Sequence, residues 1–194
     1  MVGITRFEII DGIKGRGGQR ISEARRYWSI ANSLYRQIFN QLGMPLAADE
    51  EVITCTKEKF EAGYDYQLGI DLIIRPIGQG ESTMQEKFLL TDFNTVTVEH
   101  CQNWMTLERG DWYNLKAQYY FVGYDPNKSL HLNPWVLLDW VRVQRATAQG
   151  RIIWHLQDND RNKVGALASF MYVKFSKLPP DVIVKSSQYT DSMF

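Results

Sequence analysis

The sequence predicts a mixed α/β (or α+β) fold, with a central β-sheet flanked by helices, on three observations. A long amphipathic helix comes early, a series of short β-branched and aromatic runs follows it, and a second helix signal interrupts those runs before they resume. At 194 residues, with nothing resembling an interdomain linker, the chain is expected to form one domain.

Residues 4–10 (ITRFEII) are short and β-prone, which predicts a peripheral strand. Gly12, Gly15, Gly17 and Gly18 then predict a mobile loop. Ser22 caps a helix expected to run to about Leu42, because Tyr27, Trp28, Ala31, Leu34, Tyr35, Ile38 and Phe39 recur at three- and four-residue spacing. Gly43 followed by Met44-Pro45 ends it. Val52, Thr54 and Thr56 alternate with Ile53 and Cys55, predicting a strand over 51–56. Apolar runs over 66–75 and 83–90, joined by a Gly-rich turn, read as a β-hairpin, and 94–99 (NTVTVE) and 117–124 (AQYYFVGY) as further strands. Between these two, residues 100–114 carry no period, and Gly110-Asp111 marks a turn. Asn133-Pro134 predicts a helix running to about Gln149, with Gly150 after it. Strands are expected at 151–156 and 168–175 and, past Pro179-Pro180, a short edge strand at 181–184.

Lysine plus arginine and aspartate plus glutamate number 22 each, so no whole-molecule field favours a polyanion. A nucleic-acid contact must then be local. Residues 11–26 are the candidate, since Lys14, Arg16, Arg20, Arg25 and Arg26 outnumber Asp11 and Glu23 there. Such a loop can lay cations along a phosphate backbone, or be ordinary solvated surface. No window of about 18 apolar residues suggests a membrane span, and the N-terminus lacks a secretory layout, so a cytoplasmic location with Cys55 and Cys101 as thiols is expected. His100, His131 and His155 lack metal-ligand spacing and are expected to be structural or surface residues.

The hairpin carries the chemistry. Asp71 lies on its first strand and Gln85-Glu86-Lys87 on its second. A turn centred on Gln79 would pair Asp71 with Lys87 and put Gln85 diagonally beside them on one face, with Leu72, Ile74, Met84, Glu86 and Phe88 on the other. A carboxylate, an amide oxygen and an ammonium so placed can hold a hard cation, Mg²⁺ or Mn²⁺, and stabilise charge at phosphorus. The residues alone leave two plainer readings open: a surface ion pair, and a buried Asp71 bonded to backbone amides.

The helix Ile21 to Leu42, then GIDLIIRP, then MQEKF, resembles the PD-(D/E)XK nuclease superfamily. That resemblance implies a restriction-endonuclease-like fold with its core over about 21–125 and an added helix and strands over 133–184. It implies a Mg²⁺-dependent (or Mn²⁺-dependent) endonuclease hydrolysing DNA phosphodiester bonds. Asp71 takes the Asp position, Gln85 the variable acid and Lys87 the lysine, while Glu23, in the first helical turn, takes that of an outer metal ligand. In DWYNLKAQYYFVGY, Lys116 takes a later basic position, and Gln118 stands where an Asp is expected. Two departures are plain: Gln85 is uncharged, with Glu86 able to compensate only through a twist or bulge, and Ile70 replaces the proline before Asp71. The same resemblance covers a catalytically inactive module that binds nucleic acid or a protein partner, and the aromatic region 104–124 offers a surface for the latter. Cutting of duplex DNA would favour a homodimer.

Overall fold

The computed structural model describes residues 4–6, 16–46, 68–91, 93–103, 106, 108–158 and 168–188, the side chains of 4–6 and 16–25 excepted. Among the described residues ten strands form two sheets. The larger contains β1 (Ile4–Arg6), β2 (Leu72–Ile74), β3 (Ser82–Leu89), β6 (Tyr119–Tyr124), β7 (Trp135–Asp139) and β10 (Ile183–Ser186) in the order β1-β2-β3-β6-β7-β10. It is mixed, because β3 and β6 run parallel while its other neighbours are antiparallel. The smaller sheet orders β5 (Glu108–Arg109), β4 (Thr95–Asn103), β9 (Ser169–Lys174) and β8 (His155–Asp158). The predicted mixed α/β architecture is therefore what the chain adopts.

Helix α1 (Arg16–Gln41) covers one face of the large sheet. Tyr27, Ala31, Tyr35, Ile38 and Phe39 form its buried stripe, packed with Leu72, Ile74, Met84, Phe121 and Leu137. The helix closes as a Schellman motif: Gly43 at φ +71° donates to the Asn40 carbonyl and Met44 to that of Phe39. It begins earlier than Ser22 suggested. Arg16 and Arg20 are thus helical rather than on a loop, and Glu23 lies inside the helix rather than in its first turn. Gly17 and Gly18 each cost about 1 kcal/mol against alanine, which signals a break locally, yet a helix anchored on a long apolar face tolerates them. Lys14 and the expected strand at 51–56 lie outside the described residues.

The opposite face of the large sheet packs against the small sheet and helix α3 (Trp140–Ala148), around Ile73, Val96, Val98, Tyr120, Val122, Val136, Leu138, Val143 and Val173. Strand β6 is buried at every position because both faces are covered, so it reads as a continuous run rather than an alternation. The helix expected from Asn133 is a strand first. Val136, Leu137 and Leu138 are buried in succession on both faces of β7, and only after Asp139, whose side chain accepts the Arg142 amide, does α3 begin. Its predicted end holds, with Gly150 at φ +70°. The strand expected at 151–156 starts later, at His155, and the edge strand expected at 181–184 also starts later, as β10 after a 3-10 turn over Pro180–Val182, paired among the described residues only to β7.

Candidate active site

The hairpin forms, with a register two residues from the expected one. Leu72 pairs with Met84, Ile73 with Thr83 and Ile74 with Ser82, so Asp71, just before β2, falls level with Gln85 rather than Lys87. A shift of two preserves every face. Met84, Glu86 and Phe88 face α1, while Gln85 and Lys87 face the small sheet.

Asp71 is partly buried, and its Oδ2 accepts the Glu86 amide at 2.7 Å, which fixes its carboxylate against β3. Gln85 Oε1 is buried and has no hydrogen-bond partner among the described residues. It sits by Gly69, where a Cβ would lie 3.4 Å from this oxygen and 2.8 Å from Leu115 Cδ1. With φ at +56°, Gly69 is the one residue type that lets the chain pass so close and turn into β2. Lys87 Nζ donates to the Thr97 carbonyl at 3.2 Å and stands 5.5 Å from the Phe170 ring centroid. The same carbonyl accepts the Tyr120 hydroxyl at 2.9 Å.

Glu86 does not join this group. Its Oε2 accepts the Tyr35 hydroxyl at 2.9 Å on the α1 side, so it is no substitute for a charged ligand at position 85. No twist or bulge of β3 brings it across, because Met84 to Leu89 pair without interruption with Tyr119 to Tyr124. Glu23 belongs to α1, the helix that packs on that same far face, and its own side chain lies outside the described ones. Of the cations expected to contact nucleic acid, Arg26 is exposed; the side chains of Arg16, Arg20 and Arg25 lie outside the described ones. Lys116 is exposed, its amide bonded to the Leu68 carbonyl at 2.8 Å.

One acid went unnoticed in the sequence. Asp111 opens the short helix α2 (Asp111–Asn114), on the Lys87 side of the sheet. Asp111 is solvent-exposed over much of its surface, yet the protein gathered around its carboxyl raises its pKa by desolvation, with the nearby Lys87 charge pulling the other way to a lesser extent. Tyr120 is buried on the same side of the sheet. Its hydroxyl pKa is raised well above the usual value, by burial first and then by the negative charges of Asp111 and Asp71. Asp71, Gln85 and Lys87 thus form a polar group on the face of β3 turned to the small sheet, within electrostatic reach of Asp111 and Tyr120. No family model, no curated protein and no solved structure matches this chain.

Helix α2 is fixed from two sides. Trp112 packs edge-on to Trp140 and Trp154, at 5.7 and 5.3 Å between centroids, and the Tyr113 hydroxyl bonds His100 Nε2 at 2.9 Å. Gly110 permits the approach to β4. A Cβ there would lie 2.6 Å from the Glu99 carbonyl oxygen, a backbone atom with no freedom to move aside, although its φ of −91° suits any residue. Gly110→Ala is expected to cost about 1–3 kcal/mol through overpacking and to lower the thermal midpoint by about 5 °C, read by circular dichroism.

Proposed function

We propose that the protein is a metal-dependent nuclease that hydrolyses DNA phosphodiester bonds at this polar group. The observation that carries the reading is the buried, unpartnered Gln85 amide oxygen, on the same sheet face as Lys87 and level with Asp71. A buried carbonyl oxygen without a donor costs about 1–3 kcal/mol, and a hard cation is the partner that suits it. Asp71, Gln85 and Asp111 are the residues that would hold Mg²⁺ or Mn²⁺. When bound, the ion supplies positive charge for a phosphoryl oxygen and for an attacking water.

The remaining work falls to the chain. Lys87, anchored by the Thr97 carbonyl, presents its ammonium where negative charge develops on the phosphoryl group. The Glu86 amide orients Asp71, and the buried Tyr120 hydroxyl shares the Thr97 carbonyl with Lys87, which steadies the ammonium. Asp111 supplies the negative charge that Gln85 lacks. DNA is the expected substrate and a homodimer the expected form on a duplex; among the described residues no helix is long and apolar enough to cross a membrane.

Incubation with supercoiled plasmid in Mg²⁺ or Mn²⁺, with an EDTA control, tests the reading. Nicking or linearisation that EDTA stops is expected, and intact plasmid under all conditions would leave the inactive nucleic-acid-binding module in its place. If Asp111 is a ligand, Asp111→Asn raises the metal concentration needed for half-maximal cleavage about tenfold, a shift equal to roughly 1.4 kcal/mol of binding. An unchanged metal titration would remove Asp111 from the site.

A further inference from the structure

A second feature, outside the polar group, is a cleft of 630 Å³ beside β9. Arg151, Lys174 and Lys177 line it together with His155, Tyr172 and Ile153, and among the described residues no carboxylate belongs to its lining. The His155 and Tyr172 rings stack at 5.3 Å with an interplanar angle of 27°. Ile153 is 74 % exposed, an apolar side chain left open on the cleft wall. Arg151 is tied to Asp181 at 2.9 Å, whereas Lys174 and Lys177 are exposed and have no carboxylate partner among the described residues. In a chain whose charges balance, this local excess of cations beside stacked rings is a patch of positive potential that suits an anionic ligand.

One strand links the cleft to the neighbourhood of Lys87. Phe170, Tyr172 and Lys174 alternate along one side of β9, and Phe170 is the ring against which Lys87 stands. Four strand residues span about 13 Å, the rise of about four stacked nucleotides. We infer that this cleft binds a single-stranded nucleic-acid segment, Tyr172 and His155 giving a stacking surface for a base and Lys174 and Lys177 contacting the phosphates that lead to Lys87. Cations along a groove with aromatic faces between them are the means by which single strands are held irrespective of sequence. A duplex, whose bases are already stacked, cannot use the rings. The inference takes its ligand class from the nuclease reading, but its test does not depend on cleavage.

Fluorescence anisotropy with a fluorescein-labelled 20-nucleotide single strand, and with the matching duplex, is measured in EDTA on the full chain. The single strand is expected to bind more tightly than the duplex. The double variant Lys174→Glu/Lys177→Glu should weaken single-strand binding at least tenfold and flatten the salt dependence by about 1.4 log units per log unit, for two lost phosphate contacts. Tyr172→Ala should weaken it about tenfold while Tyr172→Phe retains it. Unchanged affinity and salt slope in the lysine variant would overturn the inference. Equally tight binding of a polyglutamate peptide would do the same, by showing attraction to charge alone. Binding as described without plasmid cleavage would sink the nuclease reading and keep the cleft; metal-dependent cleavage with a lysine variant that binds normally would do the reverse.

Discussion

Asp71→Asn and Lys87→Ala are each expected to lower metal-dependent plasmid cleavage by about 100-fold or more, the scale seen when one preorganised charge is removed from a reacting centre. The asparagine is the informative choice. Its amide oxygen still accepts the Glu86 amide that now lies 2.7 Å from Asp71, so the backbone clamp survives while the negative charge is lost. If Asp71 serves only to hold β3, as one of the plainer readings has it, Asp71→Asn cleaves like the parent and the catalytic assignment fails. Lys87→Ala also gives up the Thr97 hydrogen bond and the Phe170 contact, and its thermal midpoint has to be measured beside its rate. A variant that melts normally and does not cut places the effect in the chemistry.

The largest effect on stability is expected at Asp125, which is 1 % exposed and follows β6 directly. Its carboxylate accepts the Tyr27 hydroxyl at 3.0 Å, the Ser129 amide and hydroxyl at 3.0 and 3.1 Å, and the Leu130 amide at 2.7 Å. It therefore ties α1 to the turn that leads towards β7. Asp125→Ala strands these donors and is expected to cost about 3 kcal/mol or more, about 10 °C in the thermal midpoint. Burial by itself would raise the pKa of this carboxyl, but the hydrogen bonds from Ser129, Tyr27 and Leu130 together lower it. Since the folded value lies below the unfolded one, near 3.9, the stabilisation is complete above that pH and is lost as pH falls through the folded value. Urea unfolding at pH 7 and at pH 3 should show Asp125→Ala losing less on acidification than the parent. Equal losses would show that Asp125 is not part of the acid response.

Helix α1 and the hairpin were legible because their signals are local. The Tyr27 to Phe39 stripe and the Gly43 stop are matters of 3.6-residue spacing and one left-handed residue, and alternation put Gln85 and Lys87 on one face wherever the turn fell. The observed register differs from the expected one by two because a Gly-rich turn does not specify how many of its residues pair. Asn133-Pro134 mimics a helix cap and so predicts a helix over β7, while what makes that segment a strand, its neighbours β6 and β10 on either side, comes from residues distant in sequence.

The candidate site divides the same way. Asp71, Gln85 and Lys87 stood out because they lie on adjacent strands of one hairpin. Asp111 did not, since Gly110-Asp111 in isolation is only a turn; packing of Trp112 on Trp140 and Trp154, and the glycine-only gap at Glu99, bring it to Lys87. The fate of Glu86 was likewise decided by Tyr35, on a helix far away in the chain. By itself the sequence determined the mixed α/β class, the long helix and the face shared by Gln85 and Lys87, all properties of residues a few positions apart. Tertiary structure alone decided that Asp111 comes within electrostatic reach of Lys87 and that a basic cleft opens beside β9, because those depend on how two sheets pack, and packing couples residues that no local period relates.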